Sequence, residues 1–213
     1  MATAEKVLAV AQGELGTKES PANSNWVKYN TWYYGREVSG SAYPWCMAFV
    51  QWVFAQAGVK LPVKTASCGA LMNAAKKSGQ WVTKDCRPGD VVIYDFPGGA
   101  ATDHCGVIER VTASGVVAIE GNTSQAGSQS NGGMVCRKTR PYSQIVGAVR
   151  PKFEEDKRMD NKPSPAHKEG VEWAVKNGIL TGDKTGDLKL TEPVTRQQLC
   201  TMLFRYANRK GQG

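Results

Sequence analysis

The chain has 213 residues, 41% hydrophobic and 22% charged, which suits a soluble globular protein with one full core or one core plus a small appendage. Its net charge of +8 favours an anionic partner, but the basic residues are scattered with no arginine-rich block, which argues against nucleic acid. No run approaches the ~20 apolar residues of a membrane span, which argues against membrane insertion. The start of the chain carries a short apolar stretch behind Glu5-Lys6 with no basic lead, so no signal peptide is expected.

Residues from about Ala2 to Leu15 have helical spacing, with Val7, Val10, Ala11 and Glu14 on neighbouring turns and Gly16 as the stop. The aromatic-rich stretch Asn25–Tyr34 is expected to hold a short helix, and Gly35–Ser41 a loop. A strongly apolar helix follows from Cys46, apolar nearly all round and therefore buried, and Gly58 closes it. Thr65 is the expected cap of a further helix running to about Lys77. The period then changes. Val91–Tyr94, Gly106–Glu109, Val116–Ile119, Met134–Arg137 and Ile145–Val149 are short β-branched runs between turn residues, which predicts an antiparallel sheet. Helices first and strands afterwards is an α+β pattern.

The stretch Pro151–Pro165 is charged and proline-rich and reads as a linker, giving domains over 1–150 and 166–213. The second unit is expected to be all-α, with helices over about Ala166–Asn177 and Arg196–Asn208. Thr195 and Gln198 supply a capping box for the latter. Asp183, Asp187 and Glu192 lack the dense acidic alternation of a calcium loop and read as turn residues.

The six cysteines are Cys46, Cys68, Cys86, Cys105, Cys136 and Cys200. None forms a Cys-x-x-Cys pair and no metal-type spacing is present, so free thiols and no metal are expected, with Cys68–Cys86 the one conceivable bridge. Cys46 stands out because it opens a helix, where unpaired N–H groups and the helix dipole favour a thiolate. Downstream come Asp103-His104-Cys105-Gly106 and Ile119-Glu120-Gly121-Asn122. A thiol, an imidazole and a carboxylate or amide in this order make a cysteine-hydrolase constellation. His104 is the expected general base, Glu120 the group that orients it, and Asn122 a supporting polar partner. Strand alternation sends Cys105 to the face opposite His104, which removes it as a competing nucleophile. Trp26, Trp32 and Trp81 lie in loop-rich contexts and are candidates for lining a substrate groove.

Pro44-Trp45-Cys46-Met47-Ala48-Phe49-Val50, Pro88-Gly89-Asp90-Val91-Val92, Asp103-His104-Cys105-Gly106-Val107-Ile108 and Ile119-Glu120-Gly121-Asn122 together resemble the CHAP family, the cysteine, histidine-dependent amidohydrolase/peptidases that cleave peptidoglycan. The resemblance covers about 150 residues. It implies a papain-like fold, with Cys46 as nucleophile, His104 as base and Glu120 and Asn122 completing the site. It also implies no cofactor here: the stretch Glu19–Tyr43, where some members carry a calcium loop, contains no Asp. Papain relatives often place an oxyanion Gln upstream of the nucleophile, and none lies between Gly13 and Trp45.

In the second unit, Val171–Gly182, Gly186–Leu190 and Val194–Leu199 resemble one S-layer homology motif, which implies attachment to anionic wall polymers. Its apolar residues (Trp173, Val175, Ile179, Leu199, Leu203 and Phe204) are expected to pack on the first domain or on other copies of the chain, giving a homo-oligomer in the second case. Together the resemblances imply a phage endolysin acting on Gram-positive peptidoglycan. It would be made in the host cytoplasm and released to the wall. An N-acetylmuramoyl-L-alanine amidase is favoured over an endopeptidase of the stem or cross-bridge peptide, and a non-catalytic wall-binding protein is the remaining alternative.

Overall fold

The computed structural model describes residues 2–97, 102–126, 131–153, 161–184 and 186–208. It divides into two compact units, Met1–Glu155 and Asp156–Gly213. Residues 154–160 of the expected linker lie outside the described residues. Before them, Pro151 is buried and Phe153 packs on the core of the first unit, so the start of that stretch is an anchored tail of the sheet domain.

The first unit opens with four helices. α1 spans Ala4–Gly13, and its N-terminus is satisfied by Thr3, whose side chain accepts from the Lys6 N–H. α2 spans Lys28–Tyr34 and α3 spans Cys46–Ala57, and each stops at a glycine in the left-handed region, Gly35 and Gly58. α4 spans Cys68–Lys77. Its cap is Ser67, which accepts from the Ala70 N–H; Thr65 instead holds the turn before it by accepting from the Ser67 N–H. A cap accepts from N2 or N3 of its helix, and Thr65 stands too far upstream for that.

Six strands follow: β1 Trp81–Val82, β2 Val91–Tyr94, β3 His104–Thr112, β4 Gly115–Thr123, β5 Met134–Pro141 and β6 Ile145–Val149. They form one sheet in the order β1-β6-β2-β3-β4-β5, every pairing antiparallel. This is the expected α+β class. β3 and β4 are about twice as long as their β-branched cores: a tight turn at residues 113–114 pairs their adjoining ends, and the far ends continue against β2 and β5. Glu120-Gly121-Asn122 belongs to β4.

Alternation along the strands builds two apolar layers. Val91, Ile93, Cys105, Val107, Ile119 and Val149 face a core with the helices, centred on α3, nine of whose twelve residues are buried. Val92, Tyr94, Ile108, Val116, Ala118 and Ala148 form a second cluster, which places them on the other face of the sheet. Two charged groups fasten the frame. Asp90, 1% exposed, accepts from Arg150 through both oxygens and from the Arg87 N–H. Gly89 beside it has φ +87° and leaves no room for a side chain, since a Cβ would meet Ala4 and Phe153 at 2.8 and 3.0 Å. The Pro-Gly-Asp segment is thus an architectural turn.

The second unit holds α5 (Lys168–Lys176), entered through a single 3-10 turn, and α6 (Arg196–Ala207). The Thr195/Gln198 capping box forms as the spacing predicts. Arg205 ties α6 to the segment after α5 by donating to the Ile179 carbonyl and Thr181 Oγ1. Asp183 and Asp187 accept from main-chain N–H groups of the intervening loop.

Candidate active site

Cys46 is the first residue of α3. Trp45 precedes it without capping the helix through its side chain, so the first N–H groups of α3 have no cap and are free to face a reacting oxygen. Trp45 is itself held: its indole N–H donates to Glu19 at 2.7 Å and its ring stacks on Tyr29 at 5.4 Å. β4 comes close against this helix start because Gly121 has no side chain; a Cβ there would meet Phe49 Cβ at 2.6 Å and the Trp45 ring at 2.8 Å. The glycine between Glu120 and Asn122 therefore has a packing reason.

His104 opens β3 and is fully buried. Its ring stacks with Tyr94 at a centroid distance of 6.0 Å, and its Nε2 lies 3.1 Å from Glu120 Oε2. Gly106, two residues on, makes room for that carboxylate, since a Cβ there would stand 2.6 Å from Glu120 Cγ. Glu120 is gripped from its other side by Arg140 of β5, whose Nε donates to Oε1 at 2.9 Å and whose Nη2 donates to Oε2. Arg140 is 3% exposed and lies over the rings of Tyr94 and Phe96. Nδ1 of His104 is buried with no hydrogen-bond partner among the described residues, yet the Cys46 thiol is near enough to raise its proton affinity.

The charges alternate along this line. Hydrogen bonds from the Cys105 and Cys68 thiols lower the Cys46 thiol well below its ordinary range, against burial, and His104 lowers it further. Burial pulls His104 down, but Cys46 and Glu120 outweigh it and raise the imidazole to about 9. Burial pushes Glu120 up, while Arg140 and His104 hold it below the usual carboxylate range. The shifts run in the directions that favour thiolate, imidazolium, carboxylate and guanidinium side by side. Each buried charge has an opposite neighbour, which is the condition for keeping charges out of water.

The structure brings Cys46, His104 and Glu120 together. Asn122 is fully buried with φ +57°, at a bulge where the β4–β5 register shifts, so it does not continue a regular strand face from Glu120. Asp103 is turned to a local task, accepting from the Phe96 N–H. Trp26, 40% exposed, lines a surface groove of about 350 Å³ with Arg36, Glu37, Val38, Ser39 and Tyr43. Trp32 lies under the Lys64 ammonium. Trp81 packs its ring on Gly147, where a Cβ would stand 2.3 Å from it, and so has a packing role at the sheet edge.

All six cysteines are free, as expected, and the conceivable Cys68–Cys86 bridge does not form; what the sequence did not foresee is that Cys68 lies with Cys46 and Cys105, the three sulfurs within 4.8 Å of one another. Alternation does send Cys105 to the face opposite His104, but that face carries α3, and this brings Cys105 up to the nucleophile. Cys105 is kept protonated by burial first and then by the Cys46 thiolate. Cys68 is lowered by a hydrogen bond from Cys105, but Cys46 and burial outweigh this and leave it raised. The shifts favour the thiolate at Cys46 and the neutral thiol at Cys68 and Cys105. Arg140, Glu19 and this thiol cluster escaped sequence reasoning. Arg140 lies beyond the run Met134–Arg137 read as a strand from the sequence, so no local signal marked it.

Residues 38–122 match the family model described as CHAP domain. This segment is a CHAP domain. Cys46, His104, Glu120 and Asn122 all fall inside the matched CHAP segment, and Arg140 lies beyond it. The crystal structure of a wild-type endolysin, LysIME-EF1, is similar to this chain at 15% identity and a TM-score of 0.48, covering 83% of this chain and 86% of that one. No curated protein matches the chain.

Proposed function

We propose that this protein is a peptidoglycan hydrolase of the endolysin kind, cleaving an amide bond of the bacterial wall through Cys46, with the bond between muramic acid and L-alanine as first choice. The observation that carries this reading is the buried line Cys46–His104–Glu120 within a CHAP domain. The Cys46 thiolate attacks the amide carbonyl, and N–H groups at the start of α3 receive the oxyanion. His104 gives its proton to the departing amine, leaving a thioester on Cys46. Water then enters, His104 takes its proton, and the acid is released. Glu120 keeps the imidazole oriented and charged, Arg140 positions Glu120, and Asn122 supports the pair. The Trp26 groove is the candidate surface for the wall peptide or glycan, and Trp32 a second contact; Trp81, packed on Gly147, is left to its structural task.

The second unit, 166–213, serves in this reading as the wall-binding part, through anionic wall polymers or through association of copies by its exposed apolar face. Among the described residues no helix is long and apolar enough to cross a membrane.

The test is digestion of purified Gram-positive walls by wild type and Cys46→Ala, with mass analysis of the fragments. Wild type is expected to clear the suspension and expose new N-terminal alanine, while Cys46→Ala loses about four orders of magnitude of rate or more. New amines elsewhere in the peptide make it an endopeptidase. Equal behaviour of the two proteins overturns the hydrolase reading, and binding without cleavage leaves a wall-binding protein.

A further inference from the structure

Three sulfurs converge at the head of α3, and the hydrolytic cycle needs only one. Cys46 is the first residue of α3, Cys68 the first residue of α4 and Cys105 the second residue of β3. Their Sγ atoms all lie within 4.8 Å of one another. Exposure is 6% for Cys46 and Cys68 and zero for Cys105, and none is in a disulfide. Hydrogen bonds to the Cys46 thiolate give one reason to gather three of them, but neutral thiols are weak donors and that reason is a weak one. A thiophilic cation gives a strong one. Three thiolates at about 2.3 Å from a tetrahedral Zn²⁺ stand roughly 3.8 Å apart, a spacing the present triangle reaches by sulfur movements of about 1 Å. Two of the thiols sit on helix N-termini, of 12 and 10 residues, which favour the deprotonated ligands.

We propose that Cys46, Cys68 and Cys105 form a binding site for one soft divalent cation, Zn²⁺ or Cd²⁺ in chemical class, and that its occupancy reversibly blocks the nucleophile. Three sulfurs with one position left to water is a ligand set that selects soft metals over Ca²⁺ or Mg²⁺. The step is coordination without electron transfer. The ion takes the existing Cys46 thiolate and displaces the protons of Cys68 and Cys105 to solvent. A dication with three thiolates carries one net negative charge, and the neighbouring His104 imidazolium neutralises it. The metal site stands on the sulfur geometry alone; its inhibitory consequence rests on the proposed hydrolase activity.

The experiment uses the full chain, reduced and chelator-treated, titrated with CdCl₂ while the ultraviolet thiolate-to-metal absorption is followed, and then displaced with ZnCl₂. Wild type is expected to bind one ion per chain with the absorbance of three thiolates. Cys68→Ser and Cys105→Ser, checked for folding by circular dichroism, are expected to lose about one third of that absorbance and at least about tenfold in affinity. Cys86→Ser is expected to match wild type. Absence of the band in wild type, or equal affinity and intensity in Cys68→Ser and Cys105→Ser, overturns the site. In parallel, wall clearing by wild type is expected to stop at one equivalent of Zn²⁺ and return with EDTA. Full clearing with the ion bound overturns the inhibition. A chain that binds cadmium but never clears walls keeps the site and refutes the hydrolase reading, so the two failures are distinguishable.

Discussion

The two units place similar apolar side chains in opposite settings. In Met1–Glu155, Trp45, Phe49 and Phe54 are at most 1% exposed, inside a layer closed by helices on one side and a six-stranded sheet on the other. In Asp156–Gly213, Leu203 is 57% and Phe204 69% exposed, and Ile179 alone among the described residues is buried. The difference is geometric. A long sheet with four helices encloses a volume, whereas two short helices have too much surface for their interior. The first unit can therefore hold four alternating charges in a dry site. The second is held by caps, turns and surface contacts such as Arg205 to Thr181.

That contrast gives ordered predictions. The largest effect on stability is expected in the charged line of the first unit. Arg140→Ala strands the buried Glu120 carboxylate and is expected to cost about 3–5 kcal/mol in denaturant unfolding, with hydrolysis reduced alongside. A stability change below the error of the fit would mean that water already reaches Glu120, and the contrast between a dry and a wet unit would fail.

Next comes the pH dependence, measured in chelator-treated buffer. His104, raised to about 9, must carry its proton to serve the leaving amine, so wild-type kcat/KM is expected to fall on the alkaline side near that value. Glu120→Gln removes a charge that raises His104, so this alkaline limb is expected to move to lower pH. An unmoved limb would remove Glu120 from the proton relay. The linkage has the same sign. Because its folded pKa is raised above the ordinary value of 6.5, the contribution of His104 to stability is full below 6.5 and lost as pH climbs through about 9.

In the second unit a smaller effect is expected from its best-formed local device. Thr195→Ala removes half of the capping box on α6 and is expected to destabilise that unit by about 1 kcal/mol, read by amide exchange along α6, with no change in unit 1. Phe204→Ala is expected to fall within about 0.5 kcal/mol of wild type despite losing a whole ring, because the ring is already in water. A loss of 2 kcal/mol or more would show that this face is covered in solution.

Much of both units was legible because the signals are local. Gly58 and the period change near Val91 in the first, and the capping box at Thr195 in the second, each depend on a few neighbouring residues, and each appears where the chain predicts it. The cap of α4 was misplaced by two residues, since Thr65 and Ser67 offer the same chemistry and only the path of the turn chooses between them. β1 was unreadable, as two residues carry no period.

By itself the sequence determined the α+β order, the helix start at Cys46, a strand beside His104 and the residue types of a thiol hydrolase. Tertiary structure alone decided which long-range partners meet. Arg140 is 20 residues from Glu120, and Cys46, Cys68 and Cys105 are spread over three elements with no spacing that marks them as a group. Local sequence encodes backbone conformation through propensities and caps that act over a few residues. A side chain's distant neighbours are set by sheet register and helix docking. Those arise only once the whole core has closed.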